Sequence, residues 1–139
     1  MQLTRQNIGN AGEYFVAYHL ESRGVTVVHA NTKGFDLLAI TPSGIPVPIQ
    51  VKATTKIQRA QSSKPGPKRK TYYSTRYRFN LKRHDEFPLH AFVALDIPAF
   101  FLRDLSTASG SYPTNNVVDI APSYFTDEAM EASIKEHLS

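Results

Sequence analysis

The 139-residue chain contains no cysteine. Disulfides and thiolate metal sites are therefore excluded. No apolar run approaches the ~20 residues needed to span a bilayer. The first residues, "MQLTRQNIGNAGE", lack the apolar stretch of a signal peptide. The expectation is a cytoplasmic protein with no membrane partner. Acid is locally scarce as well: no Asp or Glu occurs from Leu37 to His84. The span from Lys52 to Arg83 holds eleven of the sixteen Lys and Arg residues. Net charge is only +4, yet a positive block of that size attracts a polyanion. There is no Gly-rich phosphate loop, and "STASGS" reads as a loop, not a nucleophile elbow. The histidines at 19, 29, 84, 90 and 137 show no ligand spacing, and His19 reads as a packed core residue.

What is present fits one folded α/β domain over 1–139, with 41% apolar residues. Thr4 to Arg23 reads as a helix with Ile8, Ala11, Phe15, Tyr18 and His19 on one stripe, flanked by Val16 and Leu20. Glu13 falls at the edge of that stripe. Gly9 and Gly12 each cost ~1 kcal/mol in a helix interior, which suggests close backbone approach or a later helix start. "VTVVHA" (25–30), "FDLLAI" (35–40) and "IPVPIQVKAT" (45–54) read as strands. "FDLLAI" looks buried on both faces. Pro46 and Pro48 weaken the first half of the third strand or place it at an edge. The segment 55–78 reads as a basic arm or loop. "FNLKRHDEF" (79–87) reads as a short helix capped by Asn80. "HAFVALD" (90–96) and "AFFLRDL" (99–105) read as strands, and 126–138 as a terminal helix capped by Thr126. The core elements are thus 5–54 and 79–105.

"PIQVKAT" (48–54) raises the functional question. Gln50 and Lys52 point to one side of their strand, opposite Ile49, Val51 and Ala53. Asp36 lies among Phe35, Leu37 and Leu38, where an uncompensated carboxylate is costly. Either Gly34-Phe35-Asp36 is still turn and Gln50 and Lys52 form a solvated face, or these groups converge on one ion. The second option constrains the hairpin register. A four-residue loop at 41–44 sets Asp36 opposite Ile49. A one-residue change, or a bulge near Pro46 or Pro48, sets it opposite Gln50, which is the register expected here.

Glu13, then "GFD" ending at Asp36, then Gln50-Val51-Lys52, resembles the pattern of the PD-(D/E)XK nuclease superfamily. "GEYFVAYHLESRGVTVV" is similar to the opening of Holliday-junction resolvases. The Gln in place of the acid of the (D/E)xK motif resembles intron-homing branches. The resemblance implies a restriction-endonuclease-like core: a helix, a three-stranded antiparallel meander, a helix and further strands, here with a C-terminal helix. It implies a Mg²⁺ site, with Mn²⁺ as a substitute, drawing on Asp36, Gln50, the main-chain carbonyl of Val51, and Glu13. Those hard oxygen donors suit the ion. It further implies that Lys52 orients the attacking water and stabilises charge on the phosphate.

The implied activity is hydrolysis of DNA phosphodiesters. The alternative is a catalytically silent nucleic-acid-binding module that retains the fold. Either way, DNA is the expected partner. Lys56, Arg59, Lys64, Lys68, Arg69, Lys70, Arg76 and Arg78 are candidates for its phosphates, and Tyr72 and Tyr73 for stacking or packing. Cutting two strands is most simply done by a symmetric pair, so a homodimer or dimer of dimers is expected.

Overall fold

A computed structural model describes the backbone of residues 2–32, 34–63, 71–81, 87–106 and 117–139, and their side chains except those of 31–32, 60–63 and 71–74. The elements are α1 (Arg5–Glu21), β1 (Thr26–Thr32), β2 (Phe35–Ile40), β3 (Pro46–Thr54), β4 (Gln58–Ser63), β5 (Thr71–Asn80), β6 (Leu89–Ala94), β7 (Ala99–Asp104), β8 (Val117–Ile120) and α2 (Asp127–Leu138). A five-stranded mixed sheet runs β1-β2-β3-β6-β7, and a three-stranded sheet runs β4-β5-β8.

Thr4 starts α1: its hydroxyl accepts from the Asn7 N–H at 3.0 Å, and its own N–H donates to the Asn7 side chain at 3.0 Å. The inward stripe is not the expected one. Gly12, Val16, Ala17 and Leu20 are buried, whereas Tyr18 is 67% exposed and Ala11 is also exposed. The reason is close approach. A Cβ on Gly12 would lie 2.6 Å from the Cβ of Ala53 on β3, so the helix rests on that strand through a residue with no side chain. Hydrophobic periodicity registers aromatic positions and is blind to a glycine contact.

The β2–β3 hairpin turns through Pro42-Ser43-Gly44. Gly44 adopts φ +87° and donates to the Thr41 carbonyl at 2.8 Å, and the Thr41 N–H meets the Ile45 carbonyl at 2.9 Å. A three-residue turn ending in a left-handed glycine closes a hairpin well. It sets Leu37 opposite Ile49 and Ile40 opposite Pro46, with no bulge. Carried one residue further, this register places Asp36 across from Gln50, as expected. The prolines of β3 are also accounted for. The Val51 N–H points toward β2, so those of even-numbered residues would point toward β6. Pairing with β6 begins only at Gln50, so Pro46 and Pro48 omit donors on a side where the ladder is not yet formed.

One face of the large sheet carries the main core, where Leu37, Ile49, Val51, Ala91, Val93, Phe100 and Leu102 meet Val16 and Leu20 of α1 and Met130, Ile134 and Leu138 of α2. Each large side chain sealed there contributes ~1.5–3 kcal/mol of transfer free energy. On the other face Phe92 and Phe101 pack with Tyr77 and Phe79 of β5, Ile120 and Phe125. β2 is buried on one face only and half-buried on the other, contrary to the reading of a strand buried on both.

Two further readings are corrected. Within the segment 55–78, read as a basic arm or loop, β4 and β5 pair antiparallel from Gln58–Arg76 to Ser63–Thr71, while 64–70 lie outside the described residues. Phe79 and Asn80 belong to β5 and pair with Val118 and Val117, so no helix starts there; the rest of that expected helix, 82–86, lies outside the described residues. The β5–β8 bonds come from a segment distant in sequence. α2 forms as read, with the Thr126 hydroxyl accepting from the Ala129 N–H at 3.1 Å. The side chains of β6 are all buried, so its apolar surface is committed to the core.

Candidate active site

β3 delivers two polar side chains to the face opposite the main core. Gln50 and Lys52 are only 7% and 9% exposed, so the solvated-face reading is overturned. Asp36 lies in β2, half-buried, and is not in a turn. Its Oδ2 accepts the Val51 N–H at 2.8 Å, just beyond the last ladder pair of the hairpin. This bond holds the carboxylate against β3 and satisfies a main-chain donor that β2 leaves open.

Glu13 arrives from α1, one residue past the Gly12–Ala53 contact. Its pKa is pushed up to about 7, first by burial and then by the negative charge of Asp36. Two carboxylates therefore face the same space. Glu13, Asp36, Gln50 and Lys52 line one cleft of ≈ 760 Å³, with Arg5, Ile8, Gly9, Lys56, Gln58, Arg78 and Asn80 around them. α1, β2 and β3 supply the four, and the β4–β5 unit supplies much of the far wall.

The donor set is all oxygen: two carboxylates, one amide and, beside them, the Val51 carbonyl. Such donors suit a hard divalent ion. Repulsion between Glu13 and Asp36 is what a cation would relieve, so these residues fit the implied ion. No group of three His, Cys, Asp or Glu residues that could hold a metal occurs among the described residues. The amide and carbonyl would therefore have to complete the set, with less negative charge than three acids bring.

The basic residues divide. Lys56 lines the cleft and Arg59 is exposed on β4. Arg78 donates to Asp119 of β8 through Nε at 2.9 Å and Nη2 at 3.3 Å, and Arg76 Nε lies 3.5 Å from the same carboxylate. This pairing holds the Asp119 carboxyl below its usual range, chiefly through the Arg78 hydrogen bond. The basic block thus gains an acid from outside its own stretch. Tyr72 and Tyr73 lie on β5 opposite Ser62 and Gln61; their side chains are outside the described residues, as are Lys64, Lys68, Arg69 and Lys70.

Sequence reading did not assign Arg5 or Gln58 to the site and took Asn80 for a helix cap, yet all three line the cleft. His90, read as having no ligand spacing, is fully buried and in register with Gln50, and its Nδ1 donates to the Pro88 carbonyl at 2.9 Å. Arg5 was legible: positions 5, 9 and 13 share one helical face.

Neither protein-family models nor curated proteins match this chain by sequence. Among solved structures, the fold is similar to that of a bacterial homing endonuclease, I-Ssp6803I. The TM-score is 0.58, at 13% identity, over 86% of this chain and 77% of that chain. At that identity the likeness establishes architecture alone: the chain has a nuclease-like α/β fold, a mixed five-stranded sheet with helices from both ends of the chain.

Proposed function

We propose that this chain is a metal-dependent endonuclease that hydrolyses phosphodiester bonds in DNA. The observation that carries this reading is the convergence of Glu13, Asp36, Gln50 and Lys52, from three elements, on one cleft with Asp36 across from Gln50. Asp36, Gln50, the Val51 carbonyl and Glu13 would hold Mg²⁺ or Mn²⁺. When bound, such an ion lowers the pKa of a coordinated water and balances phosphate charge.

The chain's own groups do the rest. The Val51 N–H keeps Asp36 aimed into the cleft. Burial and the charge of Asp36 raise the Glu13 pKa to about 7, and a bound cation would lower it again. Lys52 orients the attacking water and donates to the phosphate oxygen on which charge grows. The water oxygen bonds to phosphorus and releases a proton to solvent, the opposite P–O bond breaks, and the departing sugar oxygen takes up a proton from solvent. Lys56 and Arg78 line the cleft wall, which supports their taking neighbouring phosphates, Arg78 while also bonded to Asp119. Two copies acting together would cut both strands; sedimentation with and without DNA is expected to show a dimer or tetramer, and a monomer throughout would remove that part.

The test is incubation with linear, single-stranded and four-way-junction DNA in Mg²⁺, Mn²⁺ or EDTA. Metal-dependent cleavage that disappears in Asp36→Ala and in Lys52→Ala is expected. DNA binding without metal-dependent cleavage would instead identify the silent binding module.

A further inference from the structure

Two glycines sit three residues apart in α1, and only one has a reason among the described residues. Gly12 is required by β3, since its Cβ would strike Ala53. A Cβ on Gly9 would meet nothing within 4 Å among the described residues. Glycine is the poorest helix former but proline, so a glycine inside a helix with room for alanine is unexplained by the described residues of the fold. Gly9 also lines the cleft, one helical turn from Arg5 on one side and from Glu13 on the other.

We propose that the Arg5–Gly9 face of α1 is the seat of the substrate backbone. The sugar–phosphate chain passes against the bare helix at Gly9, where any side chain would hold it off, and Arg5 grips a phosphate beyond it. Glu13 lies eight positions along the helix from Arg5, about 12 Å along the axis. With one phosphate per ~3.4 Å of axis on each strand, Arg5 holds a phosphate a few nucleotides from the one being cut. Glycine is the usual residue wherever a backbone must approach a ligand closely. The inference rests on the endonuclease reading for its substrate, but its test does not need cleavage.

Thermal melting and DNA affinity, the latter by anisotropy of a labelled duplex in EDTA across a salt series, are measured on the full chain. Gly9→Ala is expected to raise the melting midpoint by about 3–5 °C while weakening DNA binding about tenfold, with Gly9→Leu weaker still. Arg5→Ala is expected to lower the log–log salt slope by about 0.9, and Arg5→Lys to keep it. A Gly9→Ala protein that is less stable than the parent would show that the fold itself needs the glycine, and would overturn the proposal. So would Gly9→Ala affinity within twofold of the parent, or an Arg5→Ala salt slope equal to it. If the parent binds DNA but never cleaves it, the nuclease reading falls while these affinities still decide the Arg5–Gly9 seat. A parent that binds no DNA overturns both.

Discussion

The two faces of β3 are sealed from water to nearly the same degree and hold opposite chemistry. On one, Ile49 is fully buried and Val51 is 9% exposed; on the other, Gln50 is 7% and Lys52 9% exposed. Burial alone therefore does not separate core from site. The odd-numbered face meets α1 so closely that position 12 tolerates no side chain. The even-numbered face borders a cleft of ≈ 760 Å³. An amide and an ammonium kept out of water there are unfavourable for folding unless they are satisfied, and apolar residues would fill such positions at lower cost. The lesson is that a strand can be read as site-bearing when its polar face is buried against space and not against packing.

Exchanging properties between the faces sharpens the contrast. The largest effect is expected on the cleft side. Asp36→Ala should remove divalent-ion binding and cleavage together, while Lys52→Met should keep ion binding and lose about 10²–10⁴-fold in cleavage. Calorimetry with Mg²⁺ or Mn²⁺ and a cleavage assay decide it. A Lys52→Met protein that cleaves as the parent does would argue against a role for Lys52 at the reacting phosphate. On the core side, Gly12→Val should cost roughly 1–3 kcal/mol or more by forcing α1 off Ala53, read by denaturant unfolding. Unchanged stability would mean the contact at Gly12 is not tight.

A smaller effect concerns pH. The folded pKa of Glu13, about 7, lies above its ordinary value of 4.5. The native state thus binds the Glu13 proton more tightly, so this group's contribution to stability is fully present below about pH 4.5 and is lost as pH rises through about 7. Melting in EDTA should show that decline, Glu13→Gln should flatten it, and metal binding near pH 6.5 should release a proton measurable by calorimetry in buffers of differing ionisation enthalpy. An identical pH profile in Glu13→Gln would sink the assignment. The smallest effect should come from the distant sheet. Asp119→Asn frees Arg76 and Arg78 and should tighten DNA binding several-fold at low salt, whereas Arg59→Ala should weaken it and lower the salt slope by about 0.9. Tighter binding that does not fade as salt rises would argue against a phosphate contact.

Local chemistry in the sequence determined much of this protein. Thr4 and Thr126 mark helix starts because their hydroxyls bond donors three residues away. Pro42-Ser43-Gly44 sets the β2–β3 register, because a three-residue turn with a left-handed glycine admits one pairing. With that register, the alternation in "PIQVKAT" and the position of Asp36 define which side chains share a face. The tertiary structure alone decided the rest. "QRAQSS" has no hydrophobic period of its own and becomes β4 only because β5 supplies its hydrogen bonds. Residues 76–80, read as the end of a loop and the start of a helix, become part of β5 through β8, a neighbour about 40 residues on. The same distance hid the pairing of Asp119 with two arginines. The two glycines of α1 look alike in sequence; only the approach of β3 separates the one that the core requires from the one that borders the cleft. Turns and caps are settled by bonds within a few residues, whereas sheet pairing and close packing depend on partners that proximity in the chain cannot supply.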